Sequence, residues 1–237
     1  MRSAIFLAFG LWLGTLSAAI SQARLPVLVE LFTAQGCSSC PPADALLGEL
    51  AKREGVIALS LHVDYWDYLG WPDVFANPAF TERQKRYARA HGARAVFTPH
   101  FIIGGIDTVE GMRKRQIDML LRRHSTLPAP IDLRVSRQGT QVTIEAAFVA
   151  GAQPTIGTEL REVNVVQYLP KAQARIGAGE NHGKELAYQN VVTSWQPLAT
   201  WAGNAPYSAT TTIATDQPLV VFIQEAGMGR VLAASLQ

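Results

Sequence analysis

Cysteine is scarce in this chain: Cys37 and Cys40 are the only two among 237 residues. That excludes a small scaffold stapled by several disulfides, and a metal or iron–sulfur site built from cysteines alone. Charge is also sparse, at 17% of residues, and nearly balanced at +2. No strong field draws in nucleic acid, so no nucleic-acid partner is expected. Repeats and low-complexity tracts are missing. With 48% hydrophobic residues the chain is globular, and long enough for one large or two small cored domains.

A bilayer-spanning apolar run is lacking too. Residues 1–23 carry Arg2, an apolar run from Ala4 to Leu16, then small residues with Ser21 and Ala23 in the positions of a small-x-small cleavage site. The run is shorter than the roughly 20 residues a membrane helix needs. The pattern is that of a secretory signal peptide, so a periplasmic or secreted protein is expected. Membrane association is expected only if the segment stays as an anchor. In such a compartment a cysteine pair can persist as a disulfide.

The rest divides by periodicity. Residues 27–32 and 56–63 read as buried strands, and residues 43–52 as a helix with Ala43, Leu46, Leu47 and Leu50 on one face. Asn77-Pro78 is a helix start, and Gly92 its stop. Phe101-Ile102-Ile103, Gly104-Gly105 and the following residues form a hairpin pattern. A basic helix follows over residues 112–123, its charges read as a solvated face. Strands alternating with helices predict an α/β domain over residues 25–127. Beyond Pro128-Ala129-Pro130 the pattern changes to about seven short strands, which predicts an all-β sandwich over residues 131–237.

Both cysteines lie in Cys37-Ser38-Ser39-Cys40, between a strand and a helix. A staple across so short a loop gains little from chain entropy. A helix N-terminus there favours a thiolate, and a second thiol nearby can resolve a mixed disulfide. Redox chemistry, a metal site and an inert disulfide all remain open at this point. Haem attachment is excluded by Pro41 where a His is required. Pro41-Pro42 leaves two helix starts open: at Cys37 the first turn loses donors, whereas near Cys40 proline holds the first helical position and the cap is sound.

This half resembles the thioredoxin fold. The resemblance implies that Cys37 and Cys40 form a redox-active disulfide, with Cys37 attacking and Cys40 resolving. It also implies that Pro99 is a cis-proline beside them, and that Thr98 offers its backbone to a substrate. Three longer motifs narrow the match: ELFTAQGCSSCPPAD from Glu30, LHVDYWDYLGW from Leu61 and GENHGKELAYQNVV from Gly179. They resemble a secreted bacterial family catalogued as domain of unknown function twelve-twenty-three.

Other candidates come from residue type and position. Glu30, the only acid in the first strand, is placed to relay a proton behind the pair, or alternatively to point to an edge or pair with a lysine. Tyr65 and Trp66, in an aromatic loop after the second strand, are candidates for a substrate wall or for the loop's own core. His62 and His100 would join the cysteines in a soft metal site under a copper reading. Glycine-bounded Glu180-Asn181-His182 reads as a turn.

The expected function is thiol–disulfide exchange on exported proteins or small thiols, with no cofactor. The alternative is a non-catalytic periplasmic binding module or a copper-handling protein.

Overall fold

The structure is a computed structural model describing residues 25–152 and 160–237; the expected signal segment lies outside the described residues. Strand β1 (Val27–Thr33) is buried at every position, as its unbroken apolar run predicts for a strand covered on both faces. Helix α1 (Pro41–Leu50) follows, then β2 (Val56–His62), parallel to β1 from Val27↔Val56 to Thr33↔His62. Helix α2 (Pro78–Ala90) begins where the sequence marks it: Asn77 accepts the Ala79 N–H at 2.9 Å, and Pro78 occupies the first turn. Strands β3 (His100–Ile103) and β4 (Asp107–Glu110) form the expected hairpin, β3 antiparallel to β1. Helix α3 (Lys114–Ser125) buries Ile117, Leu120, Leu121 and His124. Met112, just before this helix, and Met119 within it are exposed.

Seven strands follow: β5 (Ile131–Gln138), β6 (Gln141–Phe148), β7 (Arg161–Arg175), β8 (Glu185–Trp201), β9 (Tyr207–Thr212), β10 (Leu219–Glu225) and β11 (Val231–Leu236). Their pairing overturns the expected fold class of an α/β thioredoxin-like domain followed by a separate β-sandwich. The described residues are mainly β, 44% strand against 18% helix, and one mixed sheet of eight strands runs β11-β10-β7-β8-β2-β1-β3-β4 through both halves of the sequence. The junction is β8, which pairs antiparallel with β7 along its length and parallel with β2 at Ser60↔Val191. Periodicity shows that a segment is a strand and which face is apolar. It does not show which strand will cover an open edge.

Three cores result. One holds Leu28 and Phe32 of β1, Ile102 of β3, Phe80 and Tyr87 of α2, and Val220, Phe222 and Val231 of β10 and β11. The eight-stranded sheet therefore curls so that its distant strands share one core. The contact is closed at Gly105, where a Cβ would lie 2.4 Å from the Gly229 carbonyl oxygen, so only glycine allows the β3–β4 turn to meet the β10–β11 turn. The opposite face of β1–β3 packs on α1 and α3. The three-stranded sheet β5-β6-β9 packs on β7, β10 and β11 through Ile131, Val142, Ile144, Val163, Val221 and Ile223.

Candidate functional site

The end of β1 leads through Gln35 and Gly36 into a turn closed by Cys37 and Cys40, which form a disulfide with Cα atoms 5.4 Å apart. Cys40 is the N-cap of α1, its carbonyl accepting from Ala43 and Asp44 at 2.8 and 3.0 Å, with prolines at the next two positions. Those prolines lack N–H groups that would have no intrahelical partner anyway. The positive end of the α1 dipole thus lies nearer Cys40 than Cys37. Cys37 is 1% exposed and Cys40 0%. Ser38 and Ser39 between them are exposed, and the Ser39 hydroxyl lies 3.4 Å from the Cys37 sulfur.

Two loops enclose this turn. The aromatic loop after β2 lays Trp66 against Gly36, where a Cβ would come within 3.2 Å of the Trp66 Cβ. Trp66 Nε1 donates to Thr98 Oγ1 at 2.8 Å, and the Thr98–Pro99 peptide is cis. The Tyr65 hydroxyl donates to Gln84 Oε1 at 3.2 Å, and Gln84 Nε2 in turn donates to the Phe97 carbonyl at 2.7 Å. So Tyr65, Trp66, Thr98 and Pro99 are brought together through Gln84 of α2. Burial pushes the Tyr65 phenol up to about 12. His100 is held by burial, with a smaller contribution from His91, down to about 4, so it is neutral at physiological pH.

The second loop joins β7 to β8. Asn181 is fully buried, and its Nδ2 donates to the carbonyls of Gln35 and Cys37, each at 2.9 Å. Glu180 Oε2 accepts the Ser38 N–H at 3.1 Å, and those contacts with Ser38 hold its carboxyl below the usual range. Trp71 Nε1 donates to Gln35 Oε1 at 2.7 Å. Gly177 clears the Trp71 ring, which a Cβ would approach to 2.5 Å. The glycine-bounded turn read from sequence is therefore a strap across the cysteine turn. Its signal was an Asn and a Glu between glycines, but their partners are about 140 residues away.

Glu30 sits on the opposite face of β1 from α1. Its carboxylate takes Arg83 Nε at 2.5 Å, Arg83 Nη2 at 2.9 Å and the Tyr87 hydroxyl at 2.6 Å. Arg83 also donates to Gln224 Oε1 at 3.0 Å and stacks over Trp195 with its Cζ 4.0 Å from the ring centre. This is a buried, hydrogen-bonded charge pair whose partner is an arginine, where the sequence reading offers an edge position or a lysine.

A different set of polar groups lies between α1 and the sheet. His62 Nδ1 is 2.7 Å from Asp73 Oδ2, which also accepts the Gln35 N–H at 2.8 Å. Burial pushes the Asp44 carboxyl up to about 7; His62 and the Thr33 hydroxyl oppose this, the latter without reaching hydrogen-bond geometry, and Asp73 adds to it. Thr33 Oγ1, Asp44 Oδ1, Ser60 Oγ, His62 Nε2 and the Tyr188 hydroxyl are all buried with no protein hydrogen-bond partner. Unmet, such groups cost about 1–3 kcal/mol each, in sum comparable with the whole stability of a domain, about 5–15 kcal/mol. Asp44 and Asp73 were not singled out from sequence; an acid in the first turn of a helix is common for dipole reasons alone.

Among the described residues no group of three or more His, Cys, Asp or Glu gathers as a metal site. His62 is engaged by Asp73, and His100 lies 3.3 Å from Gln84 Nε2.

A crystal structure of a protein from Agrobacterium tumefaciens is 31% identical, with a TM-score of 0.74 over 91% of this chain and 95% of that one. HBP35 of Porphyromonas gingivalis, 14% identical, has a TM-score of 0.60 over 90% of this chain and 75% of that one, a likeness of fold alone. No curated protein matches the chain. Residues 28–224 match a family model that spans the cysteine turn, the aromatic loop and the strap, so the chain belongs to the family described as Protein of unknown function (DUF1223).

Proposed function

We propose that the protein performs thiol–disulfide exchange outside the cytoplasm, on dithiols or disulfides of exported proteins or on small thiols. The observation that carries the reading is the placement of the chain's two cysteines: bonded to each other, with Cys40 capping the N-terminus of α1. In the oxidised form a substrate thiolate attacks the Cys37 sulfur. The Cys37–Cys40 bond breaks and Cys40 leaves as a thiolate, stabilised by the helix N-terminus. A second substrate thiolate then attacks the mixed disulfide and releases Cys37. The substrate dithiol has lost two electrons and two protons, and the pair has gained them. In the reverse direction the Cys37 thiolate attacks and Cys40 resolves. Tyr65, Trp66, Thr98 and Pro99 supply a wall beside the sulfurs, and the leader read from residues 1–23 delivers the chain to an oxidising compartment.

Reaction with a dithiol peptide tests this. Cys40→Ser should accumulate a mixed disulfide on Cys37, because the attacking thiol stays while the resolving one is gone. Cys37→Ser should not. Trapping by Cys37→Ser alone reverses the roles, and trapping by neither removes the reading.

A second reading, an exported binding module with a structural disulfide, is favoured by the near-complete burial of both sulfurs. It requires both variants to lose stability equally and to trap nothing.

A further inference from the structure

We propose that the buried polar cluster beneath α1 formed by Thr33, Asp44, Ser60, His62 and Tyr188 is a binding site for ordered internal water. The proposal does not rest on the thiol–disulfide reading.

The five side chains come from four elements and meet on one side of the sheet. Thr33 and His62 are register partners on adjacent parallel strands. Ser60 precedes His62 by two residues and so shares its face, the face that Ala58 buries against α1. The Tyr188 ring of β8 lies edge-on to the His62 imidazole, with centres 4.8 Å apart. Asp44 comes down from α1. None of the five exceeds 5% exposure, and each offers a polar atom that no protein group meets.

The chemistry of those atoms selects the ligand. Asp73 accepts from His62 Nδ1, which fixes the ring proton there and leaves Nε2 a bare acceptor. The three hydroxyls can each donate and accept. An anion is opposed by Asp44 and Asp73. A hard cation needs more oxygen ligands of formal charge than this set supplies, and is poorly served by an imidazole. A small neutral molecule with two donors and two acceptors matches every group, and water is that molecule.

The test uses the chain in two measurements. Crystals diffracting well enough to order internal water should show water within hydrogen-bond reach of His62 Nε2 and Asp44 Oδ1; direct side-chain contacts among these groups in place of water would overturn the site. Ser60→Ala and Tyr188→Phe each remove a partner of the bound water and should lower Tm, whereas an unchanged or raised Tm overturns the site.

Discussion

Asn181 pins Cys37: its side-chain amide donates to the Cys37 carbonyl at 2.9 Å and, with its other hydrogen, to the Gln35 carbonyl at the same distance. Both carbonyls belong to the turn that carries the disulfide. Lys184 Nζ donates to Asn181 Oδ1 at 2.8 Å and fixes the amide's orientation. A disulfide that is almost fully buried is therefore covered by a strap held on side-chain hydrogen bonds.

The first prediction concerns that strap. Asn181→Ala leaves two carbonyls of the cysteine turn without their donor, which should cost about 1–3 kcal/mol. The same change should loosen the cover over Cys37 and speed reduction of the disulfide by dithiothreitol about tenfold or more, the ratio that 1.4 kcal/mol of easier opening gives. Glu180→Gln, which keeps an acceptor for Ser38, should change the rate far less. Equal reduction rates for wild type and Asn181→Ala would mean that the strap does not control access.

Much of this site was legible in sequence, and the limit was physical. Strand β1, the apolar face of α1, the Asn77 cap and the Gly104-Gly105 turn each follow from residues within a few positions of one another. The cover over Cys37, the Arg83–Glu30 pair and the β2–β8 junction each depend on partners far apart in the chain. Nothing local at Glu180-Asn181 distinguishes a strap from a turn. Likewise Glu30 in an apolar strand announces a buried charge, but only the fold brings Arg83 to it. The separate sandwich was expected because seven strands after Pro130 looked sufficient to close on themselves. Four of them instead extend the sheet begun by β1.

The second prediction follows from the buried ion pair. Arg83→Met leaves the Glu30 carboxylate without its partner and should destabilise the protein by about 3–5 kcal/mol. Adding Glu30→Leu should recover much of that loss, because two apolar side chains no longer need desolvated charges to match. Urea denaturation of the two single variants and the double variant checks this. A double variant as unstable as the sum of the singles would show that the two residues are not coupled.

The third prediction is a pH dependence with a definite sign. Asp44 moves from an ordinary 3.8 to about 7 on folding. The folded state then binds more protons than the unfolded state between those values. Stability from this group is full below about 4, falls as pH rises toward 7 and is gone above it, a change on the order of 4 kcal/mol. His100 acts in the opposite sense, since its folded value of about 4 lies below 6.5; its contribution is present above 6.5 and is lost as pH falls toward 4. The two slopes oppose each other in the wild type over their common range. Asp44→Asn should remove the falling one, so that stability of the variant rises from pH 4 to 6.5 more steeply than that of the wild type. Parallel stability curves for the two proteins would show that Asp44 titrates normally in the fold.

The last prediction asks whether the first half of the chain is an independent unit. Residues 25–127 contain β1–β4 and helices α1–α3, and Pro128-Ala129-Pro130 offers a natural place to cut. Yet the core around Phe32 is completed by Val166, Val192, Val220, Phe222, Met228 and Val231, which all lie beyond the cut. Without β8 the parallel edge of β2 is open, and an exposed apolar edge invites aggregation. Arg83 would lose Gln224 and Trp195, and the cysteine turn would lose Asn181. A fragment of residues 25–127 should therefore lack cooperative thermal unfolding and dispersed amide resonances, whereas the chain from residue 25 to 237 should show both. Coexpression with residues 131–237 should restore them if the pieces find each other through the β2–β8 pairing and the shared core. A fragment of 25–127 that unfolds cooperatively on its own would establish that the continuous sheet joins two units able to fold separately.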